Sequence, residues 1–293
     1  MIYIYVRGGF ANLYFQLAFA SHLSSLTGRE VTVFGNRLHP VLSKLYNSFC
    51  YDHPNRPSNF GEKLLFLMNK IPFSLIRIFS KFEFFSRKCI FFDPENPSES
   101  LDIMEKIILI DRNIDIYLYG YWQNFPASFY QKDLVDFKKI LLEKVSSKSN
   151  DIDHNYRLAI HVRLGDYSKI LNRIRFRAID DRYYFKWISY FAKNFGVCSL
   201  DVYTDDENNQ RLIRLVRKAQ IVFPEMKIMI LASNDLVTDL VALTDYKYRI
   251  IGNSTYGALA GYLSIPGMTI TPQKWYNFRE SVIALPSCIY SLD

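Results

Sequence analysis

The sequence predicts an α/β fold built on parallel sheet, and three observations predict it. Short runs rich in Val, Ile, Leu and Tyr recur along the 293 residues. Between them lie stretches whose apolar residues repeat at helical spacing. In the second half these stretches are long enough for right-handed crossovers between parallel neighbours. Since 49% of the residues are apolar, the chain can bury real cores. Its length suits about two domains at the usual ~150 residues each.

Taken in order, residues 2–6 read as a strand, Gly8-Gly9 as a tight turn, and 12–26 as a helix with Leu13, Leu17, Ala20 and Leu23 on its apolar side. Residues 30–34 read as the next strand. The stretch 62–92 interrupts the alternation. There Lys63, Lys70 and Arg77 recur every seven residues, followed by Lys81, Arg87 and Lys88, against only Glu62 and Glu83. We read 60–92 as a helical basic insertion, for which two roles stay open. One is peripheral attachment to an anionic membrane. The other is packing of an apolar helix face on the first domain, and Pro72 argues against one continuous interfacial helix. Alternation resumes with a strand at 116–121 and a helix at 127–142. The polar run 146–155 then marks a boundary between domains 1–150 and 151–293. Beyond it, strands are predicted at 157–162, 200–204, 227–231, 248–251 and 268–271, with helices at 181–194, 206–219, 235–243 and 255–264.

The formal charge of +7 suits anionic small molecules, a phospholipid surface or nucleic acid without separating them. Cys50, Cys89, Cys198 and Cys288 form no CxxC pair, so neither a zinc site nor a disulfide framework is suggested. A reducing cytoplasm is the simplest home. The amino terminus opens into a strand and not into a basic and then apolar leader, and no run of 18 apolar residues occurs. A basic module for nucleic acid or anionic glycan is a second class of function, but cations and aromatics are not interleaved on one predicted face.

The chemistry collects at strand ends in the second half. His161-Val162-Arg163-Leu164-Gly165-Asp166-Tyr167 puts a histidine, an arginine and an aspartate where a buried strand finishes, and ligands bind at that edge of an open α/β sheet. A guanidinium there clamps phosphate through paired hydrogen bonds. Thr204-Asp205-Asp206 and Gly252-Asn253-Ser254-Thr255 follow two further strands. The second of these offers free N–H groups and hydroxyls at a helix start, an anion site, although taken alone Asn253 or Ser254 reads as a helix cap. Asp205-Asp206 reads either as a metal-diphosphate pair or, more often, as a cap for the next helix. Asp239 reads by itself as a solvated helix residue.

These segments resemble the α-1,2-fucosyltransferases of glycosyltransferase family 11. Residues 161–167 resemble the family's HxRRxDY, residues 8–19 its GGxGNQxFQxAF, Gly120-Tyr121-Trp122-Gln123 its GYWQ, Tyr203-Thr204-Asp205-Asp206 its FSDD, and 250–255 its IIANST, all in the family's order. The resemblance implies a GT-B fold, two Rossmann-like domains facing a cleft, with an acceptor-side N-terminal domain and a GDP-fucose-binding C-terminal one. It implies inverting transfer of L-fucose from GDP-β-L-fucose to the 2-hydroxyl of a terminal β-galactose, with no cofactor or obligatory metal. Bacterial surface polysaccharide (O-antigen) synthesis is the implied setting, on a lipid-linked or free glycan. The enzyme would be cytoplasmic, with possible contact at the inner face of the plasma membrane and no nucleic-acid partner. Carried over, Arg163 binds the β-phosphate, Asp205, Asn253, Ser254 and Thr255 belong to the donor site, Asp239 contacts the guanine edge, and His161 lies near the nucleoside. Asn12, Gln16, Trp122 and Gln123 line the acceptor side. Asp166 is either the general base or an ion-pair partner of Arg163. Leu164 replaces the motif's second arginine, for which Arg173, Arg175 or Arg177 would compensate, and 256–261 lack the tryptophans of the family's FSWWGA. The alternatives are another GDP-sugar linkage or a non-catalytic polyanion- or glycan-binding protein.

Overall fold

The computed structural model describes residues 1–51, 88–92, 97–123, 131–144, 156–165, 179–231, 235–275 and 288–291. The chain divides into two compact units, Met1–Ile140 and Leu141–Asp293.

The first unit is built on a five-stranded parallel sheet. Its strands are β1 (Ile2–Val6), β2 (Val31–Gly35), β3 (Cys50–Tyr51), β4 (Lys88–Phe92) and β5 (Asp115–Tyr119), in the order β3-β2-β1-β5-β4. Helix α1 (Phe10–Thr27) packs on this sheet. It is apolar nearly all round because it is buried nearly all round from Phe10 to Ala20. Gly28, at φ 65°, ends it by returning its N–H to the Ser24 carbonyl. Helices α2 (Pro40–Leu45), α3 (Pro97–Ile108) and α4 (Gln131–Lys144) complete the described part. The predicted helical insertion 60–92 falls largely outside the described residues. Its last five residues, however, form β4 and not helix, since Cys-Ile-Phe-Phe suits a strand paired along the whole length of β5.

The second unit carries β6 (Arg157–Val162), β7 (Ser199–Thr204), β8 (Lys227–Leu231), β9 (Tyr248–Ile251), β10 (Met268–Pro272) and β11 (Cys288–Ser291). All pair in parallel, in the order β11-β10-β9-β6-β7-β8. That is the doubly wound order, in which the chain starts centrally, runs to one edge, then returns and runs to the other. Its helices are α5 (Asp181–Phe195), α6 (Gln210–Val222), α7 (Leu236–Thr244) and α8 (Thr255–Leu263).

Alternation along the strands gives the two faces of this sheet opposite characters. Leu158, Ile160, Val162, Leu200, Val202, Ile250 and Ile270 form one hydrocarbon core with Ile188 and Phe191 of α5 and Leu212 and Leu215 of α6. The other face is polar although buried. Arg157 there donates to Asp201, whose carboxylate also accepts the Tyr246 hydroxyl at 2.6 Å, and Tyr246 meets the Tyr203 hydroxyl at 3.2 Å. Arg249, on the same row, donates to Thr269 Oγ1 at 2.9 Å and to the carbonyls of Tyr246 and Ile265. Charges without exposure persist only when paired in this way. Among the described residues, no helix is long and apolar enough to cross a membrane.

Candidate active site

In a doubly wound sheet the crevice lies outside the carboxyl ends of the two strands where the winding reverses, because the connections leave in opposite directions there. In the second unit those strands are β6 and β9, which pair from Leu158↔Tyr248 to His161↔Ile251. The edge is therefore lined by His161 and Arg163 from β6 and by Gly252–Thr255 from β9. The Gly252 N–H donates to the His161 carbonyl at 3.3 Å, tying the two exits together. Two tyrosines of α5 brace the same point from the core side. Tyr183 donates to the Ile251 carbonyl at 2.8 Å, and Tyr184 to that of His161 at 3.5 Å.

Asp205 organises the exit of β6. Its Oδ1 accepts the Leu164 N–H at 2.7 Å and its Oδ2 the Gly165 N–H at 3.0 Å. The same Oδ2 lies 3.1 Å from Arg163 Nη1. One carboxylate therefore fixes both the turn and the guanidinium that leaves it. A Cβ at Gly165 would stand 2.8 Å from that oxygen, so a side chain there would push the carboxylate off these bonds. The helix-cap reading of Asp205-Asp206 is corrected: α6 begins only at Gln210, where Asn209 accepts the Arg211 N–H, and Asp206 accepts from the Asn209 amide. Leu164 packs in the hydrocarbon core, so the position of the missing second arginine faces apolar neighbours.

His161, Tyr256 and Asp239 gather beside this turn. The His161 imidazole is buried, and its ring centroid lies 5.3 Å from that of Tyr256. A Cβ at Gly257 would come within 3.3 Å of His161 Nδ1 and 3.2 Å of Ile251 Cβ, so any larger residue would press α8 a few tenths of an ångström away from the sheet. Burial, with Arg163 nearby, lowers the imidazole to about 4, against a smaller opposing pull from Asp205. It is neutral near pH 7, and its Nδ1 has no hydrogen-bond partner among the described residues. Asp239 stands in the first turn of α7, half-buried, close enough to Tyr256 to help burial raise that phenol. The Tyr256 hydroxyl donates to the Leu236 carbonyl, linking α8 to the start of α7. Tyr256 has no place in the predicted site. Its only sequence signal is that it follows Thr255 in the first turn of a helix.

The start of α8 is open chemically. Ser254 occupies the N-cap position in extended conformation, yet its hydroxyl makes no capping bond. The first N–H groups of the helix, which have no intrahelical acceptor, and two hydroxyls are thus available to an anion at the winding reversal. Asn253 serves differently: it is buried and its amide donates to the Trp275 carbonyl at 3.0 Å. The capping reading of these residues is therefore replaced by a loop tie at Asn253 and an unspent hydroxyl at Ser254.

In the first unit the corresponding edge lies after β1 and β5, where both remaining motifs fall. Gln16 is fully buried and its amide is spent on the turn: Oε1 accepts the Arg7 N–H at 3.0 Å, while Nε2 donates to the carbonyls of Arg7 (2.8 Å) and Asn12 (2.9 Å). Trp122 is also without exposed surface, stacked on Phe19 at 4.5 Å with planes 4° apart. Its positive φ of 53° turns the ring inward. Neither presents exposed surface in this structure. Asn12 is half-buried, and its Oδ1 accepts from the Gln123 amide at 2.8 Å. Asp166 and Arg173, Arg175 and Arg177 lie outside the described residues.

The second unit thus brings to one sheet edge a braced cation after β6, an uncapped helix start after β9, and an acid with an aromatic wall, groups chemically suited to an anion and a planar polar ring. Comparison with solved structures finds distant likenesses. A glycosyl transferase family 9 protein from Veillonella parvula is 10% identical, with 100% of this chain and 87% of that one covered at a TM-score of 0.46. The α-1,6-fucosyltransferase NodZ of Bradyrhizobium, crystallised with GDP, is 12% identical, with 90% and 92% covered at 0.45. An Arabidopsis thaliana FUT1 variant in complex with GDP is 10% identical, with 89% and 68% covered at 0.42. Likenesses this remote assign nothing by themselves. No curated protein matches the chain. The family model for glycosyl transferase family 11 matches residues 99–283, well over half the sequence and all of the second unit's edge. The chain belongs to glycosyl transferase family 11.

Proposed function

We propose that the protein is an inverting α-1,2-fucosyltransferase. It moves L-fucose from GDP-β-L-fucose to the 2-hydroxyl of a terminal β-galactose, in bacterial surface polysaccharide synthesis at the cytoplasmic face of the membrane. The observation that supports the donor half is that braced Arg163 and the uncapped start of α8 follow β6 and β9, the two strands at the winding reversal. Family membership supports glycosyl transfer as the reaction class.

As the fucose–oxygen bond breaks, negative charge grows on the β-phosphate and oxocarbenium character on the sugar. Arg163 and the N–H groups opening α8 oppose that charge without reorganising, because Asp205 and the helix already hold them. Positive charge from the chain itself makes an obligatory metal unnecessary in this reading. Asp239 offers a carboxylate to two N–H groups of guanine, an arrangement that uracil and adenine cannot satisfy. His161 and Tyr256 form the wall beside it, with the imidazole kept neutral. On the acceptor side the candidates are Asn12, Gln16, Trp122 and Gln123, of which Asn12 alone is not buried. Asp166 takes the proton of the attacking hydroxyl, giving an acidic limb to the pH–rate profile. If Asp166→Asn leaves that limb intact, Asp166 braces Arg163 instead.

The test is GDP release from GDP-fucose against a panel of β-galactosyl disaccharides, with and without EDTA, for wild type and Arg163→Ala. Turnover should survive EDTA and fall by about two to three powers of ten in the variant, the scale of losing one such donor. Unchanged GDP affinity and rate in Arg163→Ala would refute the donor assignment. Transfer to a hydroxyl other than galactose O2 would refute the linkage.

A further inference from the structure

We infer that the outer face of α5 and α6 is a docking surface for an anionic lipid bilayer. Helix α6 carries Arg211, Arg214, Arg217 and Lys218 and no acid, while α5 carries three more cations against Asp181 alone. The two helices thus hold seven basic residues and one acidic residue, an excess of six on a chain whose whole formal charge is +7. Asp180 and Asp181 engage Arg182 and Arg211. Lys186, Lys193, Arg214, Arg217 and Lys218 have no ion pair among the described residues.

What distinguishes this face from an ordinary solvated one is the apolar residues set among the cations. Ile213, Arg217 and Ile221 follow at i, i+4 and i+8 and so form one stripe along α6, with Arg214 and Lys218 beside it. Ile221 is 74% exposed, Val222 49% and Ile213 42%. On α5, Tyr190 is 38% exposed and sits one turn from both Lys186 and Lys193. The inner faces of both helices are already used in the hydrocarbon core, so this outer pattern is not explained by packing within the unit.

Basic side chains around a modest apolar stripe fit a headgroup layer, where cations meet lipid phosphates and aliphatic side chains enter the acyl boundary. A nucleic-acid backbone would satisfy the cations but leave the Ile213–Ile221 stripe without a use. A second copy presenting the same face would bring like charges together. The surface also leaves the candidate site open within its unit, because α8 packs on the opposite, polar face of the sheet, against His161. Membrane attachment is one of two roles that the sequence leaves open for residues 62–92; the residues of this surface lie elsewhere in the chain, and neither donor nor acceptor identity enters the inference.

The test is flotation of the full chain with vesicles of phosphatidylcholine alone and of phosphatidylcholine with phosphatidylglycerol. The protein should float only with the anionic vesicles and be released by raised salt. Arg214→Gln with Arg217→Gln should lower the partition coefficient about 30-fold, at roughly fivefold per neutralised residue. Ile221→Ser alone should lower it about tenfold while leaving the salt dependence unchanged. Thermal unfolding followed by circular dichroism checks that each variant folds, and either variant suffices for the test. Equal flotation with neutral vesicles, variants that float like wild type, or tighter binding to duplex DNA than to the anionic vesicles would each overturn the inference.

Discussion

Replacing Asp205 by asparagine isolates what the β6 exit contributes to turnover. The wild-type carboxylate accepts two backbone N–H groups, at 2.7 and 3.0 Å, and pairs with Arg163 at 3.1 Å. The amide keeps one acceptor oxygen and turns an NH2 group toward a second donor. That removes a hydrogen bond to a charged group, about 1.5–3 kcal/mol. The ion pair, with side chains 33% and 24% exposed, is partly screened and adds at most about 1 kcal/mol. Roughly 2–4 kcal/mol of bias holding the turn and the guanidinium is therefore lost. A misplacement of about 1 Å at a reacting centre costs on the order of 100-fold in rate, so kcat in the GDP-release assay should fall about 100-fold. In the double variant with Arg163→Ala, Asp205→Asn should cost almost nothing further, since its effect passes through Arg163. An Asp205→Asn enzyme within threefold of wild type, or full additivity with Arg163→Ala, would refute the reasoning.

Three further outcomes follow from the geometry. His161 has a folded value of about 4 against 6.5 in the unfolded chain, so the unfolded state binds the extra proton first. Its contribution is intact above pH 6.5 and fades as pH falls toward 4, by about 3 kcal/mol in all. Urea unfolding from pH 7 to 4 should show a shallower decline for His161→Phe, and parallel declines would count against it. Trp122→Ala should cost about 3–5 kcal/mol in stability while leaving acceptor KM within a few-fold; a large KM change in a folded variant would assign Trp122 an acceptor role instead. Gly257→Ala should raise donor KM, because its methyl meets His161 Nδ1 and Ile251 Cβ, and should lose about 1–2 kcal/mol despite better helix propensity. An unchanged donor KM would show that α8 can retreat without disturbing the site.

The strands of the second unit are the most legible part of the sequence. Arg157–Val162 and Tyr248–Ile251 occur where their apolar runs predict them, since a central parallel strand covered on both sides leaves a strong signal; Lys227–Leu231 matches as well, although it is a largely exposed edge strand. The two residues of β3 and six of α2 are too short to show a period, and β4 hides behind the basic spacing that precedes it. Helix α6 begins later than predicted because Asp206, Asn208 and Asn209 offer several plausible caps, and only the structure shows Asn209 in use. At the site, His161 and Arg163 are readable from their place at a strand end. The grip of Asp205 on residues 164 and 165 is not, because it depends on which strand lies beside β6. The inward turn of Trp122 is equally hidden, as nothing in GYWQ announces a positive φ at a tryptophan.

The two-faced sheet of the second unit has a consequence for how the chain reaches its fold. Sliding any of β6, β7 or β9 by a single residue would exchange its faces. Asp201 or Arg249 would then be driven among Phe191, Leu212 and Leu215, while leucine and isoleucine side chains would be stranded beside Tyr246. Each misaligned pairing loses its charge partners and its hydrocarbon contacts together, so near-miss arrangements stand far above the native one and do not compete with it. The buried polar row thus works as an alignment key, rejecting wrong pairings before the crevice that depends on them can form.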